Sequence, residues 1–450
     1  YTPLLATFAL LAMPTILLGI VSPYAVKLAT NTLMKLGNVA GNLYSLSAIG
    51  SIIGTFMTVF VLIPSFEVRQ IIFALGLTLM LVSLLGLPRI PKVITVLVII
   101  IIFLPSSSVV VGLVSHSGTL LYEKETPYSH LDVADSGNIR TLYLNGLPHS
   151  QMYKDKPNEL VITYTKYFHL GMILNPDAEK VLFVGGGGFS GPKNFLTLYP
   201  DIQVDVVEID PDVIETAKNY FSLNDSPRLR IFNDDARNFL LKTDEKYDII
   251  ILDAFSKSYV PFHLMTLEYF LLLHDKLQPN GVIISNLPTS IVGDTSNLFR
   301  AVYKTMNEVF PVLYVFPTGH YGKGVVQNVM VLATKVDKQY SKYDMMKLAE
   351  DNGLDDAFAG VDYLDHYLTA EIKTNDVPLL TDQFAPVENL INPITSKSYV
   401  IEEQTTGNGK SIPWIESTSV TIGLLLLIAI FWVFYFQRIW KVQIHEGIIV

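Results

Sequence analysis

Cysteine is absent from all 450 residues. Disulfides, thiolate metal sites and cysteine nucleophiles are therefore excluded, while the redox compartment stays open. Charge is also scarce: Asp, Glu, Lys and Arg make up 16% of the chain, against roughly a quarter in an ordinary soluble domain. Basic residues are the rarer kind. Between positions 115 and 416 we count 25 Lys+Arg against 40 Asp+Glu, a net charge of −15. A domain so acidic has no electrostatic footprint for nucleic acid, and no nucleic-acid partner is expected. No His/Asp/Glu grouping has the spacing of a metal motif such as HExxH, so no structural or catalytic metal is expected. An internal repeat and the basic n-region of a signal peptide are both missing. The chain starts at Tyr1, already inside an apolar stretch, and reads as a fragment or processed form with sequence missing upstream.

Apolar sequence is what the chain has in quantity. Half of its residues are hydrophobic, and five stretches approach the roughly 20 apolar residues that span a bilayer. They are Thr2–Val21, Ala40–Ile63, Ile71–Leu87, Val93–Leu113 and Ser417–Phe436. The second carries Gly41, Ser45, Ser47, Gly50, Ser51 and Gly54, small residues that let helices approach closely inside a bundle. If the spans alternate, Lys27, Lys35, Arg89, Lys92, Arg438 and Lys441 fall on one side. The positive-inside tendency makes that side cytoplasmic and puts the large domain on the extracytoplasmic side of a multi-pass cell-membrane protein.

The expected organisation has six parts. Residues 1–113 form a transmembrane helical region, 114–158 a small antiparallel β subdomain and 159–404 an α/β domain. A linker over 405–416, a C-terminal transmembrane helix over 417–437 and a tail over 438–450 complete it. Asp135-Ser-Gly137 and Asn145-Gly146 supply the hairpin turns of the small sheet. From Glu159, apolar strands alternate with helical stretches, which indicates an α/β fold with a mostly parallel sheet. A helix is expected over Met345–Leu364.

Four strand ends in this domain carry the chemistry. VLFVGGGG (Val181–Gly188) runs into a glycine loop, and VDVVEIDP (Val204–Pro211) ends on Glu208 and Asp210. RIFNDDARNF delivers Asp234 and Asp235, and YDIIILDAF delivers Asp253. Glycines let backbone approach a ligand, and an acid about 20 residues on can accept both ribose hydroxyls. Asp235 suits an adenine amino group and equally suits the N-cap of a helix starting at Ala236. Asp253 stands where open α/β sheets place reactive groups.

The ordered motifs LYLNGLPHSQM (Leu142–Met152), VLFVGGGG, VVEIDPDVIETAKNYF (Val206–Phe221), DDARNFL (Asp234–Leu240), LDAFSKSYVPFHLMTLEYF (Leu252–Phe270) and LLTDQFAPVENL (Leu379–Leu390) resemble the spermidine synthase family, with its class I methyltransferase-like Rossmann fold. GNVAGNLYSLSAIGSIIGT (Gly37–Thr55) extends the resemblance to the membrane-fused members of that family. The resemblance implies aminopropyl transfer from decarboxylated S-adenosylmethionine to a small amine. It assigns Gly185, Gly186, Gly187, Glu208, Asp235 and Ala236 to the adenosine part of the donor and Asp253 to the general base. His149, Ser150, Tyr164 and Asp382 are weaker substrate candidates. His263 is expected to anchor a loop.

The chain also departs from that family. A second acid three residues after the base is replaced by Ser256, followed by Lys257 and Ser258. An aspartate in the glycine loop that holds the donor's amine is replaced by Gly188, and a Tyr-His-Glu motif reduces to Tyr164-Thr-Lys166. Each lost carboxylate is one that would pair with a cationic amine. Two alternatives therefore stand beside aminopropyl transfer. One is a catalytically degenerate subunit or scaffold of a membrane complex, and the other is a methyltransferase using S-adenosylmethionine itself. The bilayer, other membrane subunits or a second copy of the chain are the expected partners.

Overall fold

The computed structural model describes residues 2–30, 36–63, 66, 68–86, 118–255, 260–319, 326–354 and 363–395, and the chain divides into two compact units, 1–104 and 105–450. The expected spans Val93–Leu113 and Ser417–Phe436 and the linker over 405–416 lie outside the described residues. In the first unit, α1 (Thr2–Ala29), α2 (Leu36–Met57) and α3 (Val68–Gly86) match the first three apolar stretches. A π-helical turn, Thr58–Leu62, continues α2. The resulting helix, Leu36–Leu62, is the one among the described residues that is long and apolar enough to cross a membrane. None of the residues of α2 is buried against protein.

The second unit begins with a four-stranded antiparallel sheet: β1 (Thr119–Glu125), β2 (His130–Ser136), β3 (Ile139–Leu144) and β4 (Leu147–Tyr153), paired in that order. Asn145 and Gly146 join β3 to β4 with φ of 53° and 74°. Both central residues are left-handed, as a two-residue type I′ hairpin turn requires.

The main sheet has seven strands in the order β10-β11-β9-β8-β5-β6-β7. Its strands are β5 (Lys180–Val184), β6 (Gln203–Glu208), β7 (Leu229–Asn233), β8 (Tyr247–Leu252), β9 (Leu277–Thr289), β10 (Val312–Pro317) and β11 (Gln327–Thr334). The run β9-β8-β5-β6-β7 is parallel, and β11 and β10 extend it antiparallel. The fold is thus α/β and methyltransferase-like, with a mixed sheet and an N-terminal antiparallel sheet.

Alternation along the strands separates two cores. On one face Leu182, Val184, Ile250, Leu252 and Ile283 pack with Phe239, Tyr269, Phe270 and Val302. These come from α8 (Ala236–Lys242), α9 (Leu267–Lys276) and α10 (Asn297–Asn307). On the other face Val181, Phe183, Val204, Ile249, Ile251 and Ile284 meet Tyr167, Phe168, Phe195 and Met345. There the covering helices are α4 (Thr163–Lys166), α5 (Leu170–Leu174), α6 (Ser190–Leu198) and α11 (Lys342–Asp351). A sheet buried on both faces needs continuous apolar strands, and YDIIIL and VIISN are of that kind. The small sheet uses Leu131, Val133, Leu142 and Met152 to cover Val213 of α7 (Pro211–Tyr220) and Phe221 just after it.

The helix expected over Met345–Leu364 is shorter. It starts at Lys342 behind a Ser341/Asp344 capping box and stops at Asp351. Gly353 takes φ +64°, Leu354 N–H bonds Ala349 O at 2.9 Å and Gly353 N–H bonds Glu350 O at 3.1 Å. This is a Schellman stop that the Asn-Gly pair could have revealed. Residues 355–362 lie outside the described residues, and Tyr363–His366 is a single 3-10 turn.

One polar group is sunk into the sheet. Asp205 on β6 is 1% exposed and accepts from Arg230 Nε at 2.7 Å, Arg230 Nη2 at 2.6 Å and Tyr247 Oη at 2.8 Å. Asp205→Ala leaves the buried Tyr247 phenol without its acceptor and the Arg230 guanidinium with Glu245 alone, at 3.0 Å. The loss expected is about 2 to 3 kcal/mol, below the roughly 3–5 of a fully buried pair because Arg230 stays partly in water. Thermal unfolding followed by near-UV circular dichroism checks it, and an unchanged midpoint would refute it.

Candidate functional site

Strand order decides which side chains meet. With β5 between β6 and β8, the loop after β5, the acid ending β6 and the acid after β8 open onto the same end of the sheet, the usual ligand crevice of an open α/β sheet. The loop is closed by Gly185, whose φ is +99°. A Cβ there would stand 2.5 Å from the backbone oxygen of Asp253. Glycine is thus required twice, by conformation and by contact. Phe189 follows with φ 55° and caps α6 in the left-handed region while wholly buried, a strained choice for an aromatic residue.

Glu208 faces this loop. Its Oε2 accepts from Gly186 N at 2.8 Å and Gly187 N at 3.3 Å, and its Oε1 accepts from Asp210 N at 3.0 Å. Burial raises its pKa above the usual carboxylate range, and those three N–H bonds partly oppose the rise. A carboxylate in this position can exchange loop N–H groups for a pair of ligand hydroxyls.

Asp235 does two things at once. Oδ1 accepts from Asn238 N at 3.0 Å, the N-cap of α8, and Oδ2 lies 2.9 Å from His263 Nε2. The cap leaves one oxygen for a ligand donor, and in this structure His263 holds it. Ala236, the first residue of α8, is buried.

Asp253 is held from two sides. Tyr164 Oη donates to Oδ2 at 3.0 Å and Asn286 Nδ2 donates to Oδ1 at 2.9 Å. The residue keeps some contact with water, yet protein surrounds its carboxyl closely. Burial pushes its pKa up to about 6, against the two hydrogen bonds, which pull it down. It lines a narrow cleft, partly open to solvent, together with His149, Ser150, Gln151, Tyr164, Gly185 and Gly186.

The other candidates divide. His149 turns Nδ1 to Leu147 O at 3.0 Å, and burial lowers its pKa. Ser150 Oγ accepts from Gly188 N at 2.9 Å. A Cβ on Gly188 would come within 2.9 Å of Ser150 Cβ and 3.1 Å of Phe221 Cδ1. Ser150 and Phe221 have closed the space an aspartate would need there. Asp382 is not in the cleft lining. Arg237 grips it through Nη1 at 2.7 Å and Nη2 at 2.5 Å, and Thr266 Oγ1 donates to it at 2.7 Å. Its surroundings give it a structural clamp between α8 and α9. Ser256, Lys257 and Ser258 lie outside the described residues.

Sequence reasoning missed Asn286. The signal was present as one polar residue near the end of the apolar run VIISNLP, but its neighbour Asp253 is 33 positions away. A second grouping also went unseen. Pairing of β1 with β2 brings ligand atoms of Glu123, His130 and Asp132 within 4.8 Å of one another. His130 bonds Glu125 there at 2.7 Å. Burial would lower its pKa, but that bond and the charges of Asp132, Glu125 and Glu123 prevail and raise it.

This fold defines the class: an α/β protein of the methyltransferase-like group. Residues 163–340 match the spermine/spermidine synthase domain. The chain is 28% identical over 281 residues to a polyamine aminopropyltransferase of Vibrio vulnificus, covering 60% of this chain and 91% of that protein. It is 33% identical over 164 residues to the polyamine aminopropyltransferase of Streptococcus uberis, covering 35% and 55%. Among solved structures, it is similar to a probable spermidine synthase from Corynebacterium glutamicum, with TM-score 0.46, 18% identity and coverage of 66% of this chain and 100% of that one. Over this domain the chain is therefore similar to the spermidine synthases, with a Rossmann-like methyltransferase fold.

The raised pKa of Asp253 has a consequence for stability. A carboxyl that holds its proton more tightly when folded favours the folded state at low pH. That contribution is complete below the unfolded value near 3.8 and is lost as pH rises through about 6. Asp253→Asn removes the dependence. The variant is expected to be more stable than the parent by about 1 to 2 kcal/mol at pH 7.5, allowing for residual hydration, and no more stable at pH 4. Unfolding midpoints at the two pH values measure this, and equal differences at both would exclude it.

Proposed function

We propose that the chain is a membrane-anchored aminopropyltransferase, transferring the aminopropyl group of decarboxylated S-adenosylmethionine to a small amine with Asp253 as general base. The observation that carries this reading is the pair formed by Asp253, closely surrounded by protein and with its pKa raised to about 6, and a glycine loop with Glu208, meeting at one end of the sheet. An ammonium has no lone pair and must lose a proton to attack. The amine nitrogen bonds the methylene carbon beside the sulfonium as the carbon–sulfur bond breaks. The bonding pair passes to sulfur, neutral methylthioadenosine leaves, and the amine's proton goes to Asp253. Tyr164 and Asn286 orient that carboxyl. Asn286 Oδ1, buried with no hydrogen-bond partner among the described residues, offers the amine an acceptor beside it. Glu208 is the ribose acceptor, and Asp235 with Ala236 the adenine end.

Asp253→Asn is expected to lower kcat by about 10²- to 10⁴-fold, with methylthioadenosine affinity within about twofold of the parent. In the parent, the rate should rise with pH through about 6, as Asp253 loses its proton. Quantifying methylthioadenosine by chromatography tests both, and undiminished release by the variant would remove Asp253 from the reaction. Methylated acceptor with S-adenosylhomocysteine would instead assign the site to methyl transfer, and binding without any turnover would assign it to a degenerate subunit. The filled space at Gly188 favours that last alternative, since the donor's own ammonium loses a counter-charge there.

Bilayer anchoring is supported by Leu36–Leu62, and the basic residues flanking the apolar stretches favour an extracytoplasmic domain. Protease added to intact cells is then expected to cleave the domain. Cleavage confined to inverted vesicles would place it in the cytoplasm.

A further inference from the structure

The hairpin tip between β1 and β2, Thr126 to Ser129, serves no purpose in the chemistry above, yet it is fixed against the strand end that carries Glu208. Thr126 Oγ1 donates to Asp210 Oδ2 at 2.6 Å, and Lys124 Nζ bonds Asp212 Oδ1 at 2.7 Å. The same Thr126 oxygen accepts from Tyr128 N at 3.1 Å and Ser129 N at 2.9 Å, and Thr126 N bonds Ser129 O at 2.9 Å. These bonds fix the shape and position of the turn. The one large side chain it presents is Tyr128, which is 54% exposed. A rigid turn that displays a half-exposed aromatic ring gains nothing for the core.

The surroundings of the phenol say where it sits. Burial raises its pKa, and so do the charges of Asp210, Asp235 and Glu208. Asp210 and Glu208 stand at the end of β6, and Asp235 stands two residues after β7. The ring therefore lies in the field of acids from two neighbouring strand ends, the same ends that the proposed function assigns to ribose and adenine. The Thr126–Asp210 bond places the tip of the hairpin against the first of these two ends.

We propose that Tyr128 is a ligand-binding residue, the aromatic cover that stacks on the exposed face of an adenine bound between Glu208 and Asp235. This inference rests on the adenosine-cradle reading above and adds to it a third wall, contributed by the small sheet. It also gives that sheet a role in binding: Thr126, through Asp210, is the positioning residue that holds Tyr128 over the base.

The test is titration calorimetry of the full chain in detergent micelles, with methylthioadenosine and with 5-methylthioribose, which lacks the base. Tyr128→Ala is expected to weaken methylthioadenosine binding by about tenfold or more and to leave methylthioribose unchanged. Tyr128→Phe, which keeps the ring face, is expected to bind both within about twofold of the parent. Thr126→Val, which frees the turn, is expected to fall between the two for methylthioadenosine. If Tyr128→Ala binds methylthioadenosine like the parent, or weakens both ligands equally, the stacking role is overturned while the cradle stands. If the parent itself binds neither ligand, the cradle falls and this inference with it.

Discussion

The site depends on one close approach. Gly185 N–H bonds Val207 O at 2.9 Å on one side of β5, and Asp253 N–H bonds Val184 O at 2.9 Å on the other. These two bonds bring the glycine loop within reach of the backbone of Asp253, at a distance where a single methyl group would collide. The loop can therefore neither swing outward nor accept a side chain at its first position. Glu208, ending the strand on one side, and Asp253, following the strand on the other, are both referred to this point. Their separation is set by the spacing of neighbouring strands and not by the loops that carry them, which is how a site gains precision from a rigid sheet.

Electrostatics at this point is deliberately costly. Glu208 and Asp253 are both pushed toward the protonated form by burial, and in both cases hydrogen-bond donors work against that push. The balances serve different ends. Glu208 is met by three backbone N–H groups, so its charge is shared with the loop that it shapes. Asp253 is met by a phenol and an amide, neither of which carries charge. It is left poised near neutrality, the condition a general base needs, and nothing in the described surroundings neutralises it by a salt bridge. Destabilised carboxyls of this kind are retained in a fold at some loss of stability, and they cluster where chemistry is done.

Much of this was legible in the sequence, because the relevant residues end runs of apolar sequence. VLFVGGGG, VDVVEIDP and YDIIILDAF each mark a buried strand and its terminus without ambiguity, and the structure has all of them as strands that end where the glycines and acids begin. Partnerships across the chain were not legible. Nothing local in ETPYS or VPFHLMT says that Thr126 will reach Asp210 or that His263 will take an oxygen of Asp235, because strand order and hairpin docking decide those contacts. Asp382 misled for the same reason. An acid in a motif near the sheet's end resembles a site residue until Arg237 and Thr266 are seen to enclose it. The helix over Met345–Leu364 was over-extended because apolar periodicity outweighed Asn352-Gly353, although a glycine able to take φ +64° is the stronger signal for a stop.

The residue that changes meaning most is Gly188. In the sequence it stands as a lost carboxylate, a subtraction from the family's pattern. In the fold its place is filled: Ser150 caps its N–H, and Ser150 and Phe221 occupy the volume where a side chain would project. Phe221 in turn belongs to the core of the small sheet and shares its carbonyl with the buried amine of Lys193, which also bonds Pro157 O at 3.0 Å. Restoring an aspartate would disturb that whole junction, so the change at Gly188 is consolidated by its neighbours and is not a single substitution awaiting reversal. A cationic group bound near it must find its acceptors elsewhere. Among the described residues, the buried side-chain atoms left without a hydrogen-bond partner include the amide oxygens of Asn286 and Asn328, both neutral. Neutral acceptors hold an ammonium less firmly than carboxylates and hold an uncharged amine equally well. On the proposed reading, Asp253 is the acceptor in the cleft that can carry charge and take the proton, and the neutral amide of Asn286 beside it suits the uncharged amine that reacts.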